Sequence, residues 1–166
     1  MPIHPRITPC LWFDDQAEAA VDFYIGIFPN SRITAISRYG EAGRAIHGRP
    51  PGSIMTLAFE LDGQLFTALN GGPAFRFNEA ISLQVDCHDQ DEVDHYWNAL
   101  GAGGPVEAQQ CGWLKDRFGL SWQIVPRAMI AMMQAQDGEK SQRAFQAMLG
   151  MKKLDIAALQ RAFDGD

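Results

Sequence analysis

A four-residue signature occurs twice in the chain, as Asp15-Gln16-Ala17-Glu18 and as Asp89-Gln90-Asp91-Glu92. Each copy comes after a β-prone apolar stretch, ITPCLWF over 7–13 and AISLQVDC over 80–87. Each leads into apolar residues at helical spacing: Ala17, Ala20, Val21, Tyr24, Ile27 and Phe28 first, then Val93, Tyr96, Trp97 and Leu100. An acid with a glutamate three positions on suits a helix start, because carboxylates satisfy the N–H groups that the first turn leaves free. Pro29-Asn30 stops the first helix and the Gly101–Pro105 stretch the second.

The segments after the two helices also share an order. The first copy predicts strands over 31–39, 54–61 and 65–70, the last two joined by the hairpin signal Asp62-Gly63. The second predicts strands near 106–110, 113–117 and 120–125, with a turn at Phe118-Gly119 and a stop at Pro126. Residues 40–52, rich in glycine and proline, form a loop without a counterpart. Two unrelated βα units could share a helix start, but the common strand–helix–three-strand order favours an internal duplication. The fold class is therefore α+β, with two βαβββ half-modules over about 5–72 and 78–126.

Residues 127–166 read differently. Met129, Met132 and Met133 lie at helical spacing, a helix over 139–149 carries Phe145, Met148 and Leu149, and Gly150 ends it. Asp155 can cap a further helix, with Leu154 placed to staple onto Leu159. These methionine-bearing faces read as packing elements on the domain or on a second copy; a methionine cofactor box is the remoter alternative.

Composition narrows the function. A net charge of −6 and pI near 5.1 argue against a nucleic-acid surface. No apolar run is long enough to span a bilayer, and the first ten residues carry no apolar signal core, so no membrane association is expected. Cys10, Cys87 and Cys111 are odd in number and widely spaced, which suits reduced thiols in a cytoplasmic protein. No HExxH-type pattern surrounds the histidines: His4 lies in the N-terminal arm, His88 and His95 read as surface residues, and His47 lies in the Gly/Pro loop, with reach into a cleft as its remoter alternative. No P-loop or GxGxxG is present, and neither Gly71-Gly72 nor Gly101-Gly103-Gly104 follows a strand and opens a helix.

Several segments resemble the vicinal oxygen chelate superfamily of glyoxalases, bleomycin-resistance proteins and extradiol dioxygenases. Within it they are similar to the PhnB-like branch labelled 3-demethylubiquinone-9 3-methyltransferase. The matching pieces are ITPCLWF at 7–13, AVDFY at 20–24, LNGGP at 69–73, GWLKDRFGLSWQIVP at 112–126 and MKKLDIAAL at 151–159. The resemblance implies a domain over 1–126 with curved mixed sheets around a cleft, a helical extension over 127–166, and assembly as a homodimer. In metal-dependent relatives, four side chains from the first and last strands of the halves hold a divalent ion. Here those positions fall near Thr8 or Cys10, at Asn70, at Ala80 or Ser82, and at Gln123. This is a poor ligand set, so no metal and no cofactor is expected. The glycine pattern also argues against methyl transfer, despite the branch's label.

Strand alternation gives a candidate cleft lining. Placing Ile81, Leu83 and Val85 toward the helix turns Ser82 and Gln84 to the cleft, and Leu120, Trp122 and Ile124 oppose Ser121, Gln123 and Val125. The expected ligand-binding set is Thr8, Cys10, Trp12, Asn70, Ser82, Gln84, Trp113 and Gln123. It is neutral and polar with aromatic walls, suited to a small uncharged or weakly polar molecule. The alternative is a filled barrel whose side chains satisfy one another. No general base is evident; Asp86 and Asp116 sit at strand ends, where turn roles fit better. The expectation is a metal-free small-molecule binder with a small-molecule ligand as its partner. The rival is a lyase-, isomerase- or dioxygenase-like enzyme with an unlocated metal or acid–base group, and no catalytic residue is assigned.

Overall fold

The computed structural model describes residues 6–166; His4 lies outside them. The chain divides into two compact units, one ending at Phe77 and the other beginning at Asn78. Both mix small sheets with helices, as the α+β reading requires. No described helix is long and apolar enough to cross a membrane.

The first unit runs β1 (Cys10–Phe13), α1 (Ala17–Ile25), β2 (Arg32–Arg38), α2 (Arg44–His47), β3 (Ile54–Leu61) and β4 (Gln64–Asn70). The sheet order is β1-β4-β3-β2, with β1 parallel to β4 and the other pairs antiparallel. The hairpin at Asp62-Gly63 forms as expected, with φ of 45° and 82°, a left-handed pair that matches strand twist. Register separates two faces: Leu11, Phe13, Leu57, Phe59, Phe66 and Ala68 are buried. The buried side of α1 (Ala17, Ala20, Val21 and Tyr24) packs on this sheet. The helix ends at Ile25 rather than Phe28, because the N–H groups of Ile27 and Phe28 both turn back to the Tyr24 carbonyl.

The second unit runs β5 (Ser82–Cys87), α3 (Gln90–Gly101), β6 (Trp113–Lys115) and β7 (Ser121–Pro126). It continues through α4 (Arg127–Met133), α5 (Gly138–Leu149) and α6 (Ile156–Asp164). Its sheet order, β5-β7-β6, repeats β1-β4-β3 but lacks a partner for β2. The strand expected near 106–110 is a 3-10 turn at Val106–Ala108, followed by a single bridge from Gln110 to Trp113. The cause is non-local. Cys111 and Gly112 take left-handed φ of 51° and 83°, and their N–H groups bond to the Met151 and Lys152 carbonyls at 2.8 Å. Backbone groups that would have fed a ladder are therefore satisfied by the C-terminal segment.

That segment is fastened to α3 as well. Gln90 donates from Nε2 to the Leu154 carbonyl (3.1 Å) and accepts at Oε1 from the Ile156 N–H (2.9 Å). Lys153 pairs with Asp94 at 2.7 Å. Asp155 caps α6 through the Ala158 N–H, and Leu154 and Leu159 are both buried where the staple requires them. Each such leucine contributes about 1.5–3 kcal/mol by leaving water. Met129, Met132, Met133 and Met148 pack around this cluster, so their helical spacing is a core pattern.

Candidate functional site

The two β–α junctions are built differently. At α3, Asp89 accepts from the Glu92 N–H at 3.0 Å and Glu92 accepts from the His88 N–H at 2.7 Å, so the tetrad caps its own helix. At α1 no side chain of the tetrad caps; Asn70, at the end of β4, accepts from the Ala17 N–H at 2.9 Å. The Asn70 amide also donates to the Ile54 carbonyl at 3.1 Å. Asn70 pairs with Phe13 in register, so it lies on the helix-packed face, away from Cys10 and Trp12. It is a buried structural amide.

Aligning the tetrads makes Cys10 equivalent to Gln84. Since Cys10 pairs with Thr67 and Gln84 with Gln123, the first-unit counterpart of Gln123 is Thr67, not Asn70. Matching the ends of β4 and β7 instead of their registers is what hides Thr67 from a reading of the sequence. On its face Cys10, Trp12, Thr67, Leu69 and Thr56 align, and the hydroxyls of Ser37 and Thr56 meet at 2.5 Å. Trp12 donates from Nε1 to the Gly72 carbonyl at 2.8 Å and meets Phe75 edge-on. A Cβ at Gly71 would fall 2.3 Å from the Trp12 ring, so the glycine is what lets the indole lie flat there. Thr8 is exposed and precedes β1.

In the second unit the remaining expected residues come together. Gln84, Gln123 and Trp113 form one cross-strand row; Ser82, Ser121 and Lys115 form the next. Gln123 donates from Nε2 to Ser82 Oγ at 2.8 Å, and Gln84 to Asp86 at 3.2 Å. The opposite side of this sheet carries Leu114, Trp122, Ile124, Val85 and Cys87, with α3 against it. Ile81, expected to face the helix, precedes β5 and is 73% exposed. Besides Asp86 and Val125, which pair in the row beyond Gln84 and Gln123, two members of the face matter that are absent from the expected set. Ser121 is buried, and its hydroxyl has no hydrogen-bond partner among the described residues. Lys115 is ion-paired to Glu79, and its hydrogen bond holds the Glu79 carboxyl below the usual range. Period-two alternation from Trp113 and from Gln123 is the signal that could have found both.

Asp116 is a buried carboxylate that organises the turn between β6 and β7. It accepts from the N–H groups of Phe118 (2.8 Å) and Leu120 (3.1 Å) and from Trp122 Nε1 (2.9 Å). This turn role matches its position in the sequence and leaves it committed.

A cavity of about 390 Å³ opens in the first unit beside the start of α1, lined by Asp15, Glu18, Arg38, Arg49 and Asn70 among others. Of the expected site residues it includes Asn70 alone. The Arg49 guanidinium is tied to the Asp14 carboxylate (3.0 Å) and carbonyl. His47 is fixed by the Arg49 N–H on Nδ1 and by the Ala42 carbonyl near Nε2, with its ring against Tyr39.

Among the described residues, no group of three or more His, Cys, Asp or Glu side chains is placed to hold a metal ion. The chemistry at the superfamily's metal positions agrees poorly with one. Desolvation pushes the Cys10 thiol up, away from the thiolate a metal needs. Asn70 is spent on a helix start, and Gln123 and Ser82 are neutral donors bonded to each other. This donor set does not fit a divalent ion.

Residues 5–125 match the sequence model of the 3-demethylubiquinone-9 3-methyltransferase family. The chain belongs to that family. Among solved structures, the PhnB protein of Bacillus cereus is similar at 32% identity and a TM-score of 0.63, over 74% of this chain and 99% of that one. Protein PA1353 from Pseudomonas aeruginosa shares the fold at 20% identity and TM-score 0.56, over 74% and 98% of the two chains. The fold is that of the vicinal oxygen chelate superfamily, as the resemblance implied. The family match ends one residue before β7 does, so α4, α5 and α6 lie beyond it. No curated protein matches the chain significantly.

Proposed function

We propose that this chain binds a small organic molecule on the polar face of the β5-β7-β6 sheet, without a catalytic metal and without methyl transfer. The observation that carries the reading is the adjacency of Ser82, Gln84, Gln123 and Trp113 on one face, with the opposite face given to the core. Polar groups fix a ligand's orientation and an aromatic wall supplies apolar contact, the usual composition of a small-molecule site. Methyl transfer is left out because neither β1–α1 nor β5–α3 carries a glycine loop: the connections are Asp14-Asp15-Gln16 and His88-Asp89. In the first unit the corresponding face of the sheet, Cys10, Trp12 and Thr67, is proposed as a ligand-contacting surface of its own, with Thr8 just before β1 and with Thr67 in place of Asn70.

The test is a compound-library thermal-shift screen followed by ¹⁵N NMR titration of the hits. A bound compound raises Tm by mass action and perturbs the Gln84, Gln123 and Trp113 side-chain signals. Trp113→Ala with Gln123→Ala abolishes the shift. Hits whose perturbations all fall elsewhere would sink the reading.

We also place the protein in the cytoplasm as a homodimer, with 127–166 an extension added to the family domain. The three free cysteines support the first point. Phe145 and Leu149, 40% and 43% exposed one turn apart on α5, support the second. Light scattering of Phe145→Ser with Leu149→Ser gives a monomer if this face joins two copies, and an unchanged dimer if it does not.

A further inference from the structure

The second row of the β5-β7-β6 face is made of hydrogen-bond donors. Ser82 Oγ already accepts from Gln123, which leaves its own O–H to give. Ser121 Oγ is buried and bonded to nothing among the described residues. Lys115 brings three N–H groups on a side chain that is 23% exposed, and its ionic partner is the Glu79 carboxylate. Register sets these three residues side by side on adjacent strands. A row with two available hydroxyls and an ammonium, and no carboxylate or amide carbonyl of its own, is complementary to an oxyanion.

The chain supplies such an oxyanion itself. Glu79 lies in the turn before β5, its side chain 63% exposed, and reaches Lys115 with one carboxylate oxygen. The pair is open to water on its Glu79 side, which makes the carboxylate the exchangeable partner while Lys115 stays half-buried. The Ser121 hydroxyl is left unmet beside it, and a buried polar group without a partner is a standing cost that a bound acceptor removes.

We propose that the row Ser82–Ser121–Lys115 receives the carboxylate of a small organic acid, and that Glu79 is an internal carboxylate which the ligand displaces from Lys115. Trp113, in the neighbouring row, meets the acid's apolar or aromatic body. This deepens the small-molecule reading above and rests on it. It also changes the chemistry from a neutral ligand to a singly charged one. A carboxylate fits better than a doubly charged group, since one ammonium and two neutral hydroxyls balance one charge.

The test uses the full chain, with benzoate and its neutral counterpart benzamide as probes, followed by NMR titration of Lys115, Ser121 and Gln123 signals. Benzoate binds more tightly than benzamide. Glu79→Gln removes the competitor and strengthens benzoate binding by about two- to fivefold. Lys115→Met weakens it about tenfold or more, and Ser121→Ala to a smaller degree. The Glu79→Gln arm keeps the proposal falsifiable should Lys115→Met fold poorly, because a merely structural ion pair would not raise affinity when broken. Benzoate affinity unchanged or reduced in Glu79→Gln overturns the proposal, as does the absence of benzoate binding to both proteins. If benzamide binds as well as benzoate and Lys115→Met keeps both, the face is a ligand site but the donor row is not its anchor. If the compound screen finds nothing on this face, the small-molecule reading itself fails.

Discussion

The two βα junctions begin from nearly the same tetrad, yet α3 is capped from within its own tetrad and α1 borrows its cap from Asn70, 53 residues beyond Ala17. Tetrad alignment makes Pro126 the counterpart of Asn70, since Phe13 pairs with Asn70 and Cys87 with Pro126. A proline side chain cannot accept a hydrogen bond, so α3 relies on Asp89. With Asn70 available, Asp15 is free of that duty and lines a cavity instead. The sheets diverge in the opposite sense. The first completes four strands, with β2, β3 and β4 paired antiparallel in chain order and β1 added in parallel to β4, whereas the second stops at three and gives Cys111 and Gly112 to the C-terminal segment. Each copy thus mixes local and distant partners, but at different places: the first borrows its helix cap, and the second borrows partners for the segment leading into β6.

The hairpin turns offer the largest test of that contrast. Asp62 acts chiefly by its backbone conformation at an exposed position, whereas Asp116 is buried and receives three hydrogen bonds. Asp116→Ala leaves two backbone N–H groups and an indole N–H unmet, at a cost of about 3–5 kcal/mol. Asp62→Ala loses turn preference and a long exposed contact to Asn30 (3.4 Å), about 1 kcal/mol or less. Urea denaturation measures both. Equal losses would remove the distinction between a local and an interior turn.

The helix starts come next. Asn70→Ala removes the α1 cap and strands the Ile54 carbonyl in a part-buried setting, costing about 2–3 kcal/mol. Asp89→Ala removes an exposed cap and costs about 1 kcal/mol. The same denaturation curves rank them, and a larger loss at Asp89 would show that the borrowed cap is dispensable.

The thiols sharpen the comparison through chemistry. Burial, and then the nearby Glu92, Asp86 and Asp89 charges, push the Cys87 thiol up to about 12. Desolvation raises Cys10 as well, but it is exposed on the edge strand β1, so access decides between the two. Iodoacetamide at neutral pH should label Cys10 in the native protein and spare Cys87 until denaturant is added, as read by peptide mass spectrometry. Prompt labelling of native Cys87 would mean that β5 does not hold its α3 face closed.

Much of the fold is legible in local sequence. β3, β4 and the Asp62-Gly63 turn come from alternation and turn chemistry, and α3 from its capping tetrad. The parity of Ser82, Gln84 and Gln123 comes from the alternation of their neighbours. The features that escape local reading depend on partners far along the chain. Asn70 misleads by its place at a strand end, although Phe66 and Ala68 already give its parity as helix-facing. The stretch near 106–110 has Val106 as its single β-former, and the N–H groups just beyond it belong to Met151 and Lys152. Ser121 is on the right face in the alternation, yet nothing local says that a serine hydroxyl will be buried without a partner.

The smallest effect concerns how the C-terminal segment is held. Hydrogen bonding from Lys153, then from Gln90, lowers the Asp94 carboxyl from its usual value, much as Lys115 lowers Glu79. A carboxyl depressed on folding contributes stability above its unfolded pKa and loses it as pH falls through the folded value. Both groups are exposed, so the contribution is small and screened by salt. In ¹³C-detected titrations Glu79 and Asp94 should therefore show midpoints below ordinary glutamate and aspartate. Lys153→Met should return Asp94 toward the ordinary range while Glu79 stays low, and Lys115→Met should do the reverse. Asp94 remains partly depressed in Lys153→Met because Gln90 still donates to it at 3.0 Å. If both midpoints moved together in either variant, the segment's fastening and the sheet face would be one coupled element, and the donor row could not be tuned apart from the tail.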